Sequence, residues 1–187
     1  RGDCVGLLME NGIEATVSLL AVASLGAIVV PLFSGFGVDA IVARLAAAEA
    51  TMIVGSTGFP RRGKRVDVET ALREAWTRLP TVQRVVWKRS GDEPLRDSRD
   101  LDWHEFQYGV TPADCVPVEG NHPAYILYTS GTTGQPKGVV RPTAGHLVAL
   151  NWTMGAIYNV GPGDVFWAAS DVGWVVGHSY ICYAPLI

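Results

Sequence analysis

The sequence is poor in cysteine and carries no excess of positive charge. Its three cysteines, Cys4, Cys115 and Cys182, lie far apart and lack metal-ligand spacing. They support neither a disulfide framework nor a zinc site, so a cytoplasmic, reducing environment is expected. A net charge of -3 argues against a nucleic-acid surface, which normally shows a basic excess. With 187 residues, 48% of them hydrophobic, the chain can build one domain or two small ones.

Charged residues are also missing from residues 15–38. A run of this length raises the possibility of a transmembrane helix. Gly26, Pro31 and Gly35 interrupt the run, however, and β-branched residues concentrate in its second half. The pattern therefore favours a helix followed by a buried strand over a membrane span.

Strand and helix patterns alternate through the first part of the chain, which predicts a parallel sheet in an α/β fold. Three polar residues are expected to begin helices: Asn11, in an Asn-x-x-Glu pattern close to a capping box, Asp39 and Asp67. The predicted strands are 5–9, 27–32, 52–54 and 82–87, and the predicted helices are 13–25, 39–48 and 67–79.

The second part of the chain is less regular. Residues 88–102 read as an exposed connection, 103–108 as a short helix, and 110–123, with three prolines, as an extended crossing. Beyond them we expect a helix around 147–157, a strand at 165–169 and a loop at 171–178 leading to a helix. We expect two partial units, residues 1–120 and residues 121–187.

Residues 129–138 read Thr-Ser-Gly-Thr-Thr-Gly-Gln-Pro-Lys-Gly after a β-prone apolar run. Gly131 and Gly134 allow backbone N–H groups to approach an anion, the hydroxyls add donors, and Lys137 supplies a point charge. The segment lacks the Gly-Lys-Ser/Thr ending of a Walker A loop. It predicts a polyphosphate-binding loop, and the alternative is a polar turn between two strands.

This segment resembles the phosphate-loop signature of the adenylate-forming, AMP-producing acyl-CoA synthetases. Residues 170–180, Ser-Asp-Val-Gly-Trp-Val-Val-Gly-His-Ser-Tyr, resemble the substrate-pocket motif of the short-chain members, acetyl-CoA and propionyl-CoA synthetases. The resemblance implies the parallel-sheet βαβ layers of the large N-terminal domain of these enzymes, incomplete here. The chain begins without Met and ends on an apolar stretch, so we expect a fragment of a longer protein.

The resemblance also implies a reaction. ATP would activate a short-chain carboxylate to an acyl-adenylate with release of pyrophosphate, and the acyl group would then pass to CoA. Lys137 and Thr132 are the expected catalytic residues, and the Mg²⁺ ligand is expected beyond Ile187, so the fragment alone would be inactive. The residues expected to bind the nucleotide are Thr129, Ser130, Gly131, Thr132, Thr133, Gly134 and Lys137.

For the acyl pocket, the resemblance implies walls from Trp174, Val176 and Gly177, with His178 nearby. Acetyl-CoA synthetases usually carry Thr where this chain has Val176, and the Val-Val-Gly-His version is more similar to the propionyl-CoA enzymes. Propionate is therefore favoured and acetate remains possible, since one methylene is worth only about 1–3 kcal/mol. The alternative is that Trp174 is a core residue and His178 a satisfied polar residue at a helix start.

Two further segments resemble the CoA-binding elements of short-chain synthetases. Arg61-x-Gly63-Lys64 is similar to an Arg-x-Gly-Arg element, and the segment beginning Phe33-Ser34-Gly35 is similar to a Phe-Gly-Gly-Phe element. Lys64 lacks the bidentate fork of arginine, and Ser34 adds a side chain where backbone should approach. A solvated basic loop is the alternative for residues 61–65.

Other functions stay open at this point. The chain could belong to another adenylate-forming ligase, such as an aryl or medium-chain CoA ligase or an adenylation domain, or it could be a nucleotide-binding remnant without catalysis. The expected partner is a small-molecule carboxylate.

Overall fold

A seven-stranded sheet forms the centre of the computed structural model, which describes residues 1–92, 94–129 and 136–187. The strand order is β7-β6-β3-β1-β2-β8-β9, parallel throughout except for the final β8/β9 pair, and β4 and β5 form a separate hairpin. The strands are β1 (Cys4–Leu8), β2 (Ile28–Pro31), β3 (Met52–Ser56), β4 (Gly58–Arg61), β5 (Lys64–Asp67), β6 (Arg84–Lys88), β7 (Asp100–Asp102), β8 (Pro123–Thr129) and β9 (Lys137–Pro142).

Helices cover both faces of this sheet. Leu8 and Val30 point to the core that contains α2 and α3, whereas their neighbours Leu7 and Val29 point to the core that contains α1 and α5. Burial on both faces explains why the central strands are continuously apolar. The helices are α1 (Ile13–Ser24), α2 (Val38–Ala47), α3 (Glu69–Trp76), α4 (Trp103–Phe106), α5 (Thr143–Ala156) and α6 (Val175–Gly177), followed by a π-helix (His178–Tyr183) and a 3₁₀-helix (Ala184–Leu186).

The predicted α/β fold with a parallel sheet is confirmed, and the strands and helices predicted for residues 1–87 form within a few positions of the expected bounds. The charge-free run divides into α1 and β2, and no helix among the described residues is long and apolar enough to cross a membrane. The division of the chain at residue 120 remains a prediction.

The predicted helix caps at Asn11 and Asp39 were wrong, whereas Asp67, just before α3, accepts a hydrogen bond from the Thr70 amide at 3.1 Å. Gly12 and Gly37 occupy the N-cap positions of α1 and α2, and neither helix has a side-chain cap. Asp39 lies inside the first turn of α2, where a negative charge interacts favourably with the helix dipole. Asn11 makes its hydrogen bonds to residues far along the chain instead.

The prediction of an exposed connection for residues 88–102 was wrong at its end, because Asp100 and Asp102 are buried in β7. The Asp100 carboxylate accepts hydrogen bonds from Trp87 Nε1 at 2.7 Å, from Arg73 Nη2 at 2.9 Å and from the backbone of Asp97 at 2.9 Å. These donors offset the cost of burying a charge, which a polar sequence pattern does not reveal.

The basic cluster forms the β4/β5 hairpin rather than an irregular loop. Arg61 pairs with Lys64 across it, and the turn residues Arg62 and Gly63 have φ values of 50° and 75°. Positive φ at both central positions matches the twist of a two-residue hairpin turn. The hairpin therefore holds the two cations next to each other on paired strands.

The strand predicted at residues 165–169 is absent. Val165 is fully exposed and Trp167 is 83% exposed, and no strand of the described ranges pairs with this segment. A strand needs a neighbour for its backbone hydrogen bonds, and a short apolar run alone does not supply one.

Candidate functional site

A cleft of about 640 Å³ opens at the edge of the sheet where β1, β2 and β6 end. Because the loops after parallel strands meet at their carboxyl ends, distant parts of the chain converge there. Arg61 contributes from the β4/β5 hairpin and Asp171 from the segment before α6. The other polar and aromatic side chains that line it include Glu10, Asn11, Phe33, Ser34, Lys88 and Trp167.

The segment before α6 is bonded to the ends of β1 and β2. Asn11 Nδ2 donates to the Ser170 carbonyl at 2.6 Å, and the Val172 amide donates to Asn11 Oδ1 at 3.0 Å. Ser34 Oγ donates to Asp171 Oδ2 at 2.7 Å. The segment is thus fixed by side chains that follow two different strands.

Glycine is required twice in this segment because backbone packs directly against backbone. A Cβ at Gly173 would lie 2.3 Å from the Phe33 nitrogen, and a Cβ at Gly177 would lie 1.7 Å from the Asp171 oxygen. Neither position has room for a side chain. Glycine at these two positions therefore allows the segment to approach the end of β2 and to fold back on itself more closely than any residue with a side chain would allow.

Trp174 completes an aromatic group with the segment after β2. Its ring centroid lies 5.3 Å from that of Phe33 and 6.2 Å from that of Phe36, while the Arg44 guanidinium lies 4.2 Å from the Phe36 centroid. Trp174 remains 44% exposed and Val176 50% exposed, so both side chains present surface and neither is a core residue. The structure thus brings the predicted acyl wall to the predicted CoA element.

His178 is buried beneath this surface, with no exposed area. Its Nδ1 donates to the Val172 carbonyl at 3.2 Å, and its ring contacts Tyr125 edge to face with centroids 4.4 Å apart. Since a carbonyl can only accept, the neutral ring carries its proton on Nδ1. Burial, with a smaller contribution from the nearby His146, lowers the pKa of His178 to about 4.

The predicted phosphate loop lies largely outside the described residues, including Ser130, Gly131, Thr132, Thr133 and Gly134. Its two ends are described. Thr129 at the end of β8 pairs directly with Lys137 at the start of β9, and both residues are exposed. Within the described part of the chain, no carboxylate forms an ion pair with Lys137.

The predicted CoA-binding residues are partly brought together. Phe33, Ser34 and Arg61 line the same cleft, whereas Lys64 lies opposite Arg61 on β5 and does not line it. Gly35 packs against the Phe33 ring, since a Cβ there would lie 2.7 Å from Phe33 Cε1.

Sequence reasoning missed several polar residues of the cleft, among them Asn11 and Lys88. Asn11 was expected to cap a helix, and Lys88 was expected at the start of an exposed connection. Lys88 Nζ instead lies 2.6 Å from Glu10 Oε1 and 3.4 Å from Glu14 Oε2, so its charge is paired at the cleft. The position of both residues directly after predicted buried strands was the signal that could have identified them.

No group of three or more His, Cys, Asp or Glu side chains that could hold a metal ion occurs among residues 1–92, 94–129 and 136–187. The chemistry of the cleft is that of the exposed Trp167 ring, the half-buried Phe33 ring, an arginine and hydrogen-bonding side chains. This set suits an organic ligand that carries both apolar and anionic parts.

The profile of the family described as AMP-binding enzyme matches residues 1–187. The chain belongs to this family. It is 47% identical over 193 residues to a mouse protein described as acyl-CoA synthetase short-chain family member 3, mitochondrial, covering 100% of this chain and 28% of that one. It is 38% identical over 193 residues to the acetyl-coenzyme A synthetase of Pyrobaculum arsenaticum, covering 100% of this chain and 29% of that one.

Among solved structures, the acetoacetyl-CoA synthetase from Streptomyces lividans superimposes with a TM-score of 0.88 at 29% identity, covering 96% of this chain and 28% of that one. The identification from the two sequence motifs is confirmed, since these relatives are acyl-CoA synthetases, which are acid–thiol ligases. The chain spans about 28% of the length of the relatives it matches.

Proposed function

We propose that the full-length protein is an AMP-forming ligase that activates a short-chain carboxylic acid with ATP and transfers the acyl group to CoA. The family and the names of its relatives support the reaction class. The observation that carries the proposal is the cleft in which Phe33, Ser34 and Arg61 meet the segment of Trp174. An acid and an acyl acceptor that bind there would lie side by side, as acyl transfer requires.

In the first half-reaction, residues at both ends of the phosphate loop would bind ATP. Thr129 and Lys137 would hold the β- and γ-phosphates of ATP from the two ends of the phosphate loop, together with the hydroxyls of Ser130, Thr132 and Thr133. The ammonium group of Lys137 would neutralise charge that develops on the leaving pyrophosphate. Mg²⁺ belongs to the proposal as a cofactor bound elsewhere in the full-length protein.

For the second half-reaction, Arg61 would bind the nucleotide phosphates of CoA, with Lys64 adding charge from the neighbouring strand. CoA supplies the thiol that accepts the acyl group. Phe33, Ser34 and Gly35 would position it next to the acyl wall, because this segment packs against Trp174.

We favour propionate over acetate as the acid. Val176 places an apolar isopropyl group at a position where a threonine would offer a hydroxyl, and together with Trp174 it suits an additional methylene. The expected discrimination is modest, about 1–3 kcal/mol or roughly 10- to 200-fold. The described segments of the chain are not expected to complete the reaction without the remaining length seen in the relatives.

The test is pyrophosphate release by the purified full-length protein with ATP and each of acetate, propionate, butyrate and acetoacetate. We expect the highest kcat/KM with propionate and acyl-CoA formation only when CoA is added. A Lys137→Met variant, which removes the charge, should release pyrophosphate at least about 100-fold more slowly. Equal background release with all acids would overturn the proposal.

A cytoplasmic location is part of the proposal. Because several relatives are described as mitochondrial, import into an organelle is the alternative. Cell fractionation of the full-length protein distinguishes the two.

A further inference from the structure

Asn11 makes an unusual connection between the end of β1 and the segment that leads to Trp174. Its carboxamide donates to the carbonyl of Ser170 and accepts from the amide of Val172. In a parallel sheet, the backbone of one strand residue bonds in the same way to the carbonyl before and the amide after its partner. The side chain of Asn11 therefore acts in place of a neighbouring strand. It bonds to the residues on either side of Asp171, and we call this pair of hydrogen bonds the bracket.

The orientation of the carboxamide is fixed by its partners. The Ser170 carbonyl can only accept and the Val172 amide can only donate, so Nδ2 must face the first and Oδ1 the second. A flipped carboxamide would lose both hydrogen bonds. The same carboxamide makes no cap to α1, whose N-cap position is occupied by Gly12.

Asp171, which lies between the two residues bonded to Asn11, is connected by further hydrogen bonds to the segment of Trp174. The Asp171 carboxylate accepts from Ser34 Oγ at 2.7 Å and from the Gly173 amide at 2.8 Å. The Trp174 amide donates to the Asp171 carbonyl at 3.0 Å and closes a turn. Any shift of the backbone at Asp171 is thus transmitted to the ring of Trp174.

We infer that Asn11 is a positioning residue for the acyl pocket: its carboxamide sets the backbone of residues 170–172 and so fixes the placement of the Trp174 wall. The inference rests on the proposed function for its effect on acid binding. The two hydrogen bonds themselves can be tested without any enzymatic assay.

The test uses the full-length protein with Asn11→Ala and Asn11→Asp. Alanine removes both hydrogen bonds, while aspartate keeps an acceptor for the Val172 amide and loses the donor to Ser170. The matched control is Asn151→Ala, because Asn151 is exposed on α5 and does not line the cleft. The first readout is hydrogen exchange at the Val172 amide, and the second is the KM for propionate compared with the KM for ATP.

We expect exchange at Val172 to become at least about tenfold faster in Asn11→Ala, with protection retained in Asn11→Asp and in the control. We expect the KM for propionate to rise about tenfold in Asn11→Ala while the KM for ATP changes less than about twofold. A general loss of stability would instead raise exchange throughout the sheet and lower the active fraction without this split between the two KM values.

Unchanged hydrogen exchange at the Val172 amide in Asn11→Ala would contradict the two hydrogen bonds made by the Asn11 carboxamide. Faster exchange with an unchanged KM for propionate would overturn the positioning role while leaving the proposed function intact. If the wild-type protein released no pyrophosphate with any acid, the proposed function and the role in acid binding would both fail, and the exchange data would still decide whether the bracket exists.

Discussion

Ser34 donates a hydrogen bond of 2.7 Å to the carboxylate of Asp171, although 137 positions separate the two residues. Ser34 is only 6% exposed. Its hydroxyl therefore ties the segment after β2, which resembles a CoA-binding element, to the segment that resembles an acyl-pocket motif. Ser34 stands where the similar Phe-Gly-Gly-Phe element has a glycine. The hydrogen bond to Asp171 explains how a serine side chain is accommodated and used at this position.

We expect Ser34→Ala to lower the free energy of unfolding by about 1–2 kcal/mol, because it removes a hydrogen bond to a charged acceptor in a largely buried position. Asp171 keeps its hydrogen bond from Gly173, so the loss stays moderate. Thermal or urea denaturation of the full-length protein measures it. The exposed Ser98→Ala serves as the control and should change the free energy by less than about 0.5 kcal/mol.

Gly177→Ala should displace the segment of residues 170–177, because the new Cβ would lie 1.7 Å from the backbone oxygen of Asp171. Backbone cannot move away as a flexible side chain can. We expect a loss of at least about 3 kcal/mol in unfolding free energy together with a loss of acid-dependent pyrophosphate release.

Gly155→Ala is the matched control for this substitution. Gly155 lies inside α5, and a Cβ there would meet no atom within 4 Å. Alanine should therefore stabilise the helix by about 0.5–1 kcal/mol and leave activity unchanged. Equal effects of the two substitutions would contradict the packing described for residues 171–177.

His178 should make stability depend on pH. Its folded pKa of about 4 lies below the ordinary value of 6.5, so the unfolded chain binds its proton first on acidification. Its contribution is complete above about pH 6.5 and is lost as the pH falls toward 4, for a total of about 3 kcal/mol. Burial also lowers the pKa of His146, which contributes in the same direction.

Urea denaturation at several pH values between 7.5 and 4.5 measures this dependence. His178→Asn keeps a donor for the Val172 carbonyl but cannot be protonated, so its stability should fall less steeply with acidification than that of the wild type. His104→Asn serves as the control for removal of an exposed imidazole. Parallel curves for wild type and His178→Asn would show that His178 titrates normally.

Arg61→Ala should raise the KM for CoA about tenfold and leave acid-dependent ATP–pyrophosphate exchange unchanged, since that exchange precedes the use of CoA. Arg61→Lys should recover part of the loss, because it restores the charge without the bidentate fork. The control is Arg62→Ala at the neighbouring turn position. A similar change in KM for both alanine variants would indicate a general electrostatic effect.

Asp100→Asn should lower the free energy of unfolding by about 2 kcal/mol, because it removes the charge of a buried carboxylate that pairs with Arg73, while the pair of Arg73 with Glu69 at 2.6 Å remains. Burial alone would raise the pKa of Asp100, but hydrogen bonds from Arg73 and Trp87 outweigh it and lower the pKa. Glu74→Gln on the same helix as Arg73 is the control. Denaturation curves of the two variants against wild type check the difference.

The sequence predicted the elements whose hydrophobic pattern is set by burial on two faces. β1, β2 and β3 are apolar along their whole length because helices cover both sides of the sheet, and such runs are recognisable without any tertiary information. The two sequence motifs likewise identified the family from residue types and their spacing.

Where the prediction failed, the deciding interactions are between residues distant in the chain. Asn11 looks like a cap because its local context is that of a helix start, yet its carboxamide bonds to Ser170 and Val172. Asp100 looks like part of a solvated loop, yet it accepts from Trp87 and Arg73. No local pattern encodes such partners.

The close approach of Gly173 and Gly177 to neighbouring backbone bears on attempts to redesign the acid preference. Libraries randomised at these two positions should yield mostly misfolded clones, whereas Val176, with half of its side chain exposed, can accept replacements of different size and polarity. Under the proposed function, directed evolution toward longer or more polar acids would therefore start with substitutions at position 176.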